Sequence, residues 1–299
     1  MEKLELLIGQ YYEQYKNTLY IKNINFFNSF SMILCNVQLP NLEKKVPYLT
    51  IDEIYSLVIR FLNKKFPSLL PIYINLINTE SFILDVDCKS KYAYTKIMNN
   101  KRMIVVPNWN NLLTALNIVH EFNHYLNAEE TGWNSIASFL TEGLSISFEI
   151  EFLDYLKEYE NYDESFIKDI KLSRLEEAKE NSFDVYFIGL LISFYESYKS
   201  IKYENIKEFI DDEKLYNEYC IYILKKYKTI KDINAHIECN KIFGIFLSFY
   251  KAEVNSEERF IKLNRQLLNN NINCLNEIDL DINDENFIKV LSKSLLKNL

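Results

Sequence analysis

All five prolines of this 299-residue chain fall at or before Pro107. A proline lacks the amide hydrogen that a helix interior needs and its ring clashes with the preceding turn, so it breaks a helix wherever it sits inside one. The first third of the chain therefore mixes strands, turns and helices around Pro40, Pro47, Pro67, Pro71 and Pro107. Beyond Pro107 long stretches keep a helical apolar period without interruption. The expectation is an α+β protein with a small mixed sheet, followed by a mostly helical C-terminal lobe. Residues 1–130 are read as the α+β lobe and 131–299 as the helical lobe, in a length that allows one large domain or two smaller ones.

Local signals fill in that outline. Leu4–Tyr20 reads as an amphipathic helix, and Tyr20–Gln38 mixes β-branched and aromatic residues as a strand would. Thr50 followed three places on by Glu53 is a capping box, and Ile54, Leu57, Val58, Phe61 and Leu62 carry its helix to about Lys65. Ile72–Ile77, apolar and β-branched after Pro71, predicts a buried strand, and Ser81–Val86 another. Lys91–Ile97 and Arg102–Val106 read as paired strands with Asn99 and Asn100 at the turn. After Pro107, with Asn110 or Asn111 as the cap, Leu112, Leu113, Leu116, Val119, Phe122 and Leu126 recur at three- and four-residue steps. Gly132 is a place for the chain to turn, and Trp133–Leu156 is the next helix. Glu158–Asn181, charged and poor in large apolar residues, reads as a solvated helix pair or a lid. The run Asp184–Gly189 is followed by an apolar helix to Tyr198, and a last helix runs from Asn286 to about Leu296.

Charge and composition remove several function classes. A net charge of −8 argues against a nucleic-acid surface and slightly against an anionic membrane face. The longest apolar runs, Tyr186–Tyr195 and Ile242–Tyr250, fall well short of the ~20 residues a bilayer span needs. With no basic leader segment ahead of a cleavage site, the expected location is the cytoplasm. Cys35, Cys88, Cys220, Cys239 and Cys274 are odd in number and scattered, which fits reduced core thiols better than disulfides. With only five glycines there is no phosphate-cradling loop. The calcium-loop start at Asp279 fails, because Asp284 stands where glycine is needed and Val290 where the closing glutamate is.

One stretch carries chemistry. His120-Glu121-Phe122-Asn123-His124 holds two of the three histidines, four residues apart on a predicted helix. Residues so spaced lie one above the other on one face, so both imidazoles can reach a single metal ion, zinc being the usual occupant. Glu121 then stands beside a metal-polarised water as its proton acceptor. The competing account is a pair of buried, hydrogen-bonded histidines without metal. A catalytic zinc keeps three protein ligands and an open position. Glu142, 18 residues after His124 on the next predicted helix, leaves room for a turn and an antiparallel return over the metal. His236 and Cys239 form a further, weaker pairing, more readily explained as ordinary surface or core residues.

The segment Thr141-Glu142-Gly143-Leu144-Ser145-Ile146-Ser147-Phe148-Glu149, together with the His-Glu-x-x-His run, resembles the gluzincin zinc metallopeptidases. In that superfamily the first motif is followed by an EGLAxYxE-type motif on the next helix. The resemblance implies a zincin-like fold with His120, His124 and Glu142 as Zn2+ ligands and Glu121 as general base. Glu149 would be a carboxylate behind a ligand or on the surface rather than a fourth ligand. Tyr186 and Gly189 resemble the YxxG element in which a tyrosine donates to the oxyanion, although a packed core tyrosine fits equally well. The gluzincins also pair an extended substrate with a sheet edge ahead of the active helix, which makes one of the two paired strands the candidate, with an ordinary internal hairpin as the alternative. The Gly-x-Met-Glu-Asn run of the zinc aminopeptidases is missing, since residues 85–106 contain neither glutamate nor glycine. Endopeptidase-type cleavage of a peptide or protein is therefore expected over aminopeptidase activity. A looser likeness extends to predicted intracellular zinc proteases of Bacillus-type bacteria. Two other readings are a catalytically inactive gluzincin-like protein that binds a partner through the helical lobe, and hydrolysis of a non-peptide amide.

Overall fold

The computed structural model describes residues 1–36, 46–98, 101–131 and 138–250. It is a mainly helical α+β protein with a small three-stranded mixed sheet. In chain order the elements are α1 (Glu2–Tyr15), α2 (Leu19–Lys22), α3 (Ile24–Asn36), α4 (Ile51–Lys65) and α5 (Leu70–Ile77). The strands β1 (Phe82–Asp85), β2 (Tyr94–Met98) and β3 (Lys101–Pro107) follow. Then come α6 (Leu112–Thr131), α7 (Ser138–Tyr159), α8 (Glu164–Tyr198), α9 (Tyr203–Ile206), α10 (Glu213–Lys226) and α11 (Ala235–Tyr250). The Asn99-Asn100 turn, Pro40, Gly132, the start of the Trp133 helix, Cys274 and the Asn286 helix lie outside the described residues. Among the described residues, no helix is long and apolar enough to cross a membrane.

Contacts divide the chain into two compact units, one of residues 1–38 with 176–243 and one of residues 39–175 with 244–299. In the second unit the sheet runs β1-β3-β2, with β1 parallel and β2 antiparallel to the central β3. Register places Phe82 opposite Ile104 and Thr95 opposite Ile104 from the other side. The expected pair of strands thus forms, with β3 central and β1 and β2 at the two edges. The capping box also forms: Glu53 N donates to Thr50 Oγ1 at 3.3 Å, and Thr50 N donates to Glu53 Oε2 at 2.7 Å. Phe61 of α4 then meets Phe66, Phe148, Phe152 and Tyr155 with ring centroids 5.1–5.5 Å apart, joining α4 to α7. Truncating so central a ring to alanine costs about 3–5 kcal/mol.

Three local expectations are corrected. Ile72–Ile77 belongs to helix α5, not to a strand. Pro71 sits in the first turn, where its missing amide hydrogen costs nothing, and Tyr73 and Leu76 bury one helical face, Tyr73 edge-on to Phe122 at 5.3 Å. A short apolar run carries no period long enough to separate the two outcomes. The described part of Tyr20–Gln38 is also helical, as α2 and α3. Ile24, Phe27, Phe30 and Leu34 line up on one buried face there, and Phe27 meets Phe243 at 5.3 Å. Glu158–Asn181 is no helix pair: most of it lies in the single 35-residue α8, with Ile167, Ile170, Leu172, Leu175 and Ala178 buried. Of the four described cysteines, Cys220 and Cys239 are in the core, whereas Cys35 is half-buried and Cys88 exposed.

Candidate metal centre

Helix α6 is anchored at the end of β3. Asn111 caps it, its Oδ1 accepting from Leu113 N at 3.0 Å and Thr114 N at 3.3 Å, while Asn110 takes the left-handed conformation (φ 52°) that an asparagine tolerates. Leu112, Ala115, Leu116, Ile118, Val119 and Phe122 bury the core-facing stripe. His120 and His124 are left half-buried at its rim, with their Nε2 atoms 3.0 Å apart. Helix α7 brings Glu142 to the same point, its carboxylate oxygens 3.4 Å from His124 Nε2 and 3.7 Å from His120 Nε2. Buried Asn123 ties the two helices together by donating to Ser145 Oγ at 3.2 Å, one turn along α7 from Glu142. The close crossing of Gly244 on α11 also bears on this segment. A Cβ there would lie 2.2 Å from the Gly143 carbonyl oxygen, so glycine at 244 lets α11 pass close to the backbone beside Glu142.

The donor set fits a zinc ion. Two imidazole nitrogens and a carboxylate oxygen, all within 4.8 Å of one another, are a usual set for that metal. Tetrahedral zinc with bonds of ~2.0–2.1 Å separates its ligand atoms by about 3.3 Å, close to the 3.0 Å between the two Nε2 atoms and the 3.4 Å from His124 Nε2 to Glu142 Oε1. Among the described residues, no other group of three His, Cys, Asp or Glu side chains meets this condition.

Behind His120 stands a carboxylate that the sequence left between two roles. Glu149 is 2 % exposed, and its Oε1 lies 2.6 Å from His120 Nδ1. Its Oε2 accepts from Arg174 Nε at 2.9 Å, with Arg174 Nη2 at 2.8 Å. Burial alone would raise this acid, but the Arg174 guanidinium and His120 together hold it below the ordinary carboxylate range. Burial likewise pulls His120 down, and the Glu149 hydrogen bond with the charges of Glu149, Glu142 and Glu121 outweighs it, lifting the ring to about 9. Glu149 thus fixes the ring so that Nε2 faces His124 and Glu142.

Glu121 is 5 % exposed and accepts a hydrogen bond at Oε2 from Thr95 Oγ1 at 2.6 Å, across from the edge strand β2. Thr95 and Arg174 carry no signal in the sequence, because neither sits in a motif or at a telling interval from the histidines. Tyr186 lies on the part of α8 that belongs to the other unit, so its expected oxyanion role rests on the resemblance alone. It is half-buried, burial raises its phenol above the usual value, and its carbonyl accepts from Asn28 Nδ2 at 3.1 Å. Gly189 of the same YxxG element makes room for Asn28, whose Oδ1 would lie 2.6 Å from an added Cβ. His236 is hydrogen-bonded through Nδ1 to the Tyr11 hydroxyl at 2.8 Å, and burial pushes its pKa down to about 4. The Cys239 thiol is fully buried and pushed up by that burial, and among the described residues the pair belongs to no group of three possible ligands.

Comparison with protein-family models, curated proteins and solved structures finds no match to this chain.

Proposed function

We propose that this protein is a zinc-dependent peptidase that hydrolyses internal peptide bonds, with Glu121 as general base. The observation that carries the reading is the convergence of His120, His124 and Glu142 from two helices, with Glu149 braced behind the first ligand. Bound zinc supplies Lewis acidity, which makes a nearby water acidic enough to lose a proton close to neutral pH. The protein does the rest. His120, His124 and Glu142 hold the ion, and Glu149 with Arg174 keeps Nδ1 of His120 occupied so that Nε2 points inward. Glu121 takes the proton of the attacking water on its carboxylate and returns it to the leaving amide nitrogen. An extended substrate would lie along β2, the strand at the sheet edge beside Glu121. Residues 85–106 lack the Gly-x-Met-Glu-Asn run whose glutamate binds the substrate's free amine in the zinc aminopeptidases, which favours endopeptidase action.

Metal analysis paired with Glu121→Gln on a mixed peptide library tests this. The expected result is one zinc per chain in both forms, with cleavage in the wild type and a loss of about 10²–10⁴-fold in the variant. Equal cleavage by both forms, or no zinc in either, would overturn the proposal.

A further inference from the structure

A carboxylate that accepts a proton from one defined water must keep one oxygen in place, and rotation about its last bond scatters that oxygen. Glu121 is held against such rotation. Thr95 Oγ1 lies 2.6 Å from Glu121 Oε2 and 3.2 Å from the Glu121 carbonyl oxygen. A threonine hydroxyl carries a single proton, and the shorter separation is that of a hydroxyl donating to a charged carboxylate. The proton therefore goes to Oε2, and the carbonyl is the lesser contact. Thr95 itself is fixed, because β2 is paired in register with β3, whose Ile104 is fully buried opposite it.

We infer that Thr95 is a positioning residue of the proposed hydrolytic site: its hydroxyl holds Oε2 of Glu121 and so presents Oε1 to the reacting water. The inference rests on the peptidase reading and adds a consequence to it. The strand that orients the base is the edge strand along which an extended substrate would lie, so substrate pairing and base orientation share one element.

The test compares zinc-loaded wild type, Thr95→Val, Thr95→Ser and Glu121→Gln on one peptide recovered from the mixed library. Valine keeps the shape and removes the hydroxyl, whereas serine keeps the hydroxyl. Losing a hydrogen bond to a charged group is expected to lower kcat about ten- to a hundredfold in Thr95→Val, with KM within about twofold of wild type. Thr95→Ser should recover most of the loss, with zinc content unchanged in all forms. Crystal structures of wild type, Thr95→Val and Thr95→Ser supply a readout apart from turnover: the Glu121 carboxylate should rotate away in the valine variant and stay in the serine variant. Wild-type kcat in Thr95→Val, an equal loss in Thr95→Ser, or an unmoved carboxylate would overturn the inference while Glu121→Gln remains inactive. If wild type and Glu121→Gln both fail to cleave any peptide, the peptidase reading itself fails and takes the role of Thr95 with it.

Discussion

His120 meets the Glu149 carboxylate through Nδ1 at 2.6 Å, and His236, in the other compact unit, meets the Tyr11 hydroxyl through Nδ1 at 2.8 Å. Burial pulls both rings toward the neutral form. The difference lies in what faces them. His120 has three carboxylates around it and ends at about 9, while His236 has a neutral phenol and the ring of Tyr15 at 4.6 Å and ends at about 4. Partner charge, not depth, decides which histidine carries a proton at neutral pH. The same negative surroundings that hold a proton on metal-free His120 favour a cation in its place, whereas the neutral rings of Tyr11 and Tyr15 beside His236 do not.

The sharpest way to break this contrast is metal binding. His120→Ala should lose its zinc on dialysis and His236→Ala should keep one ion per chain, as read by elemental analysis. Loss from both would mean that the contrast does not concern metal at all.

Stability of the metal-free protein should show opposite pH limbs. The folded value of His120, about 9, is above the ordinary 6.5, so its contribution is full below pH 6.5 and is lost as pH rises through about 9. For His236 the folded value of about 4 is below 6.5, so its contribution is full above pH 6.5 and is lost as pH falls through about 4. Each limb amounts to about 3.5 kcal/mol at most, at ~1.4 kcal/mol per unit. Urea unfolding of metal-free wild type, His120→Gln and His236→Gln from about pH 4 to about pH 9 checks it. The first variant should flatten the alkaline side and the second the acid side.

Smaller effects sharpen the comparison through the partners. Glu149→Gln keeps a hydrogen-bonding group but removes the charge, and should weaken zinc binding about ten- to a hundredfold in competition titrations with a chelating dye. Tyr11→Phe removes the partner of His236 and should cost about 1 kcal/mol of stability with zinc affinity unchanged. A zinc effect in Tyr11→Phe as large as that in Glu149→Gln would erase the distinction between the two regions.

Much of this was legible before any coordinates. The Thr50–Glu53 box, the β2–β3 pair and the helix through His120 follow from short-range rules, because a cap, two neighbouring strand-like runs and a helical stripe are each set within a few residues. Ile72–Ile77 was not legible, since a run of six residues, apolar but for Asn75, satisfies strand and helix equally and burial of Tyr73 against Phe122 settles the matter. Glu158–Asn181 misleads for a related reason. Its charges suggest solvent, yet Arg174 and the apolar residues between them face inward on one long helix. In the site, the histidines and Glu142 stand out in the sequence, while Thr95 and Arg174 do not.

The order of amino acids by itself determined that His120 and His124 share a helical face, because four residues are close to one turn of about 3.6. It also determined that a carboxylate lies on the following helix within reach of a return. Only the tertiary structure decided what stands behind these groups: Glu149 and Arg174 on His120, and Thr95 on Glu121. A buried charge is stable only where distant elements bring it a partner, and which elements meet depends on how whole faces pack rather than on any interval along the chain.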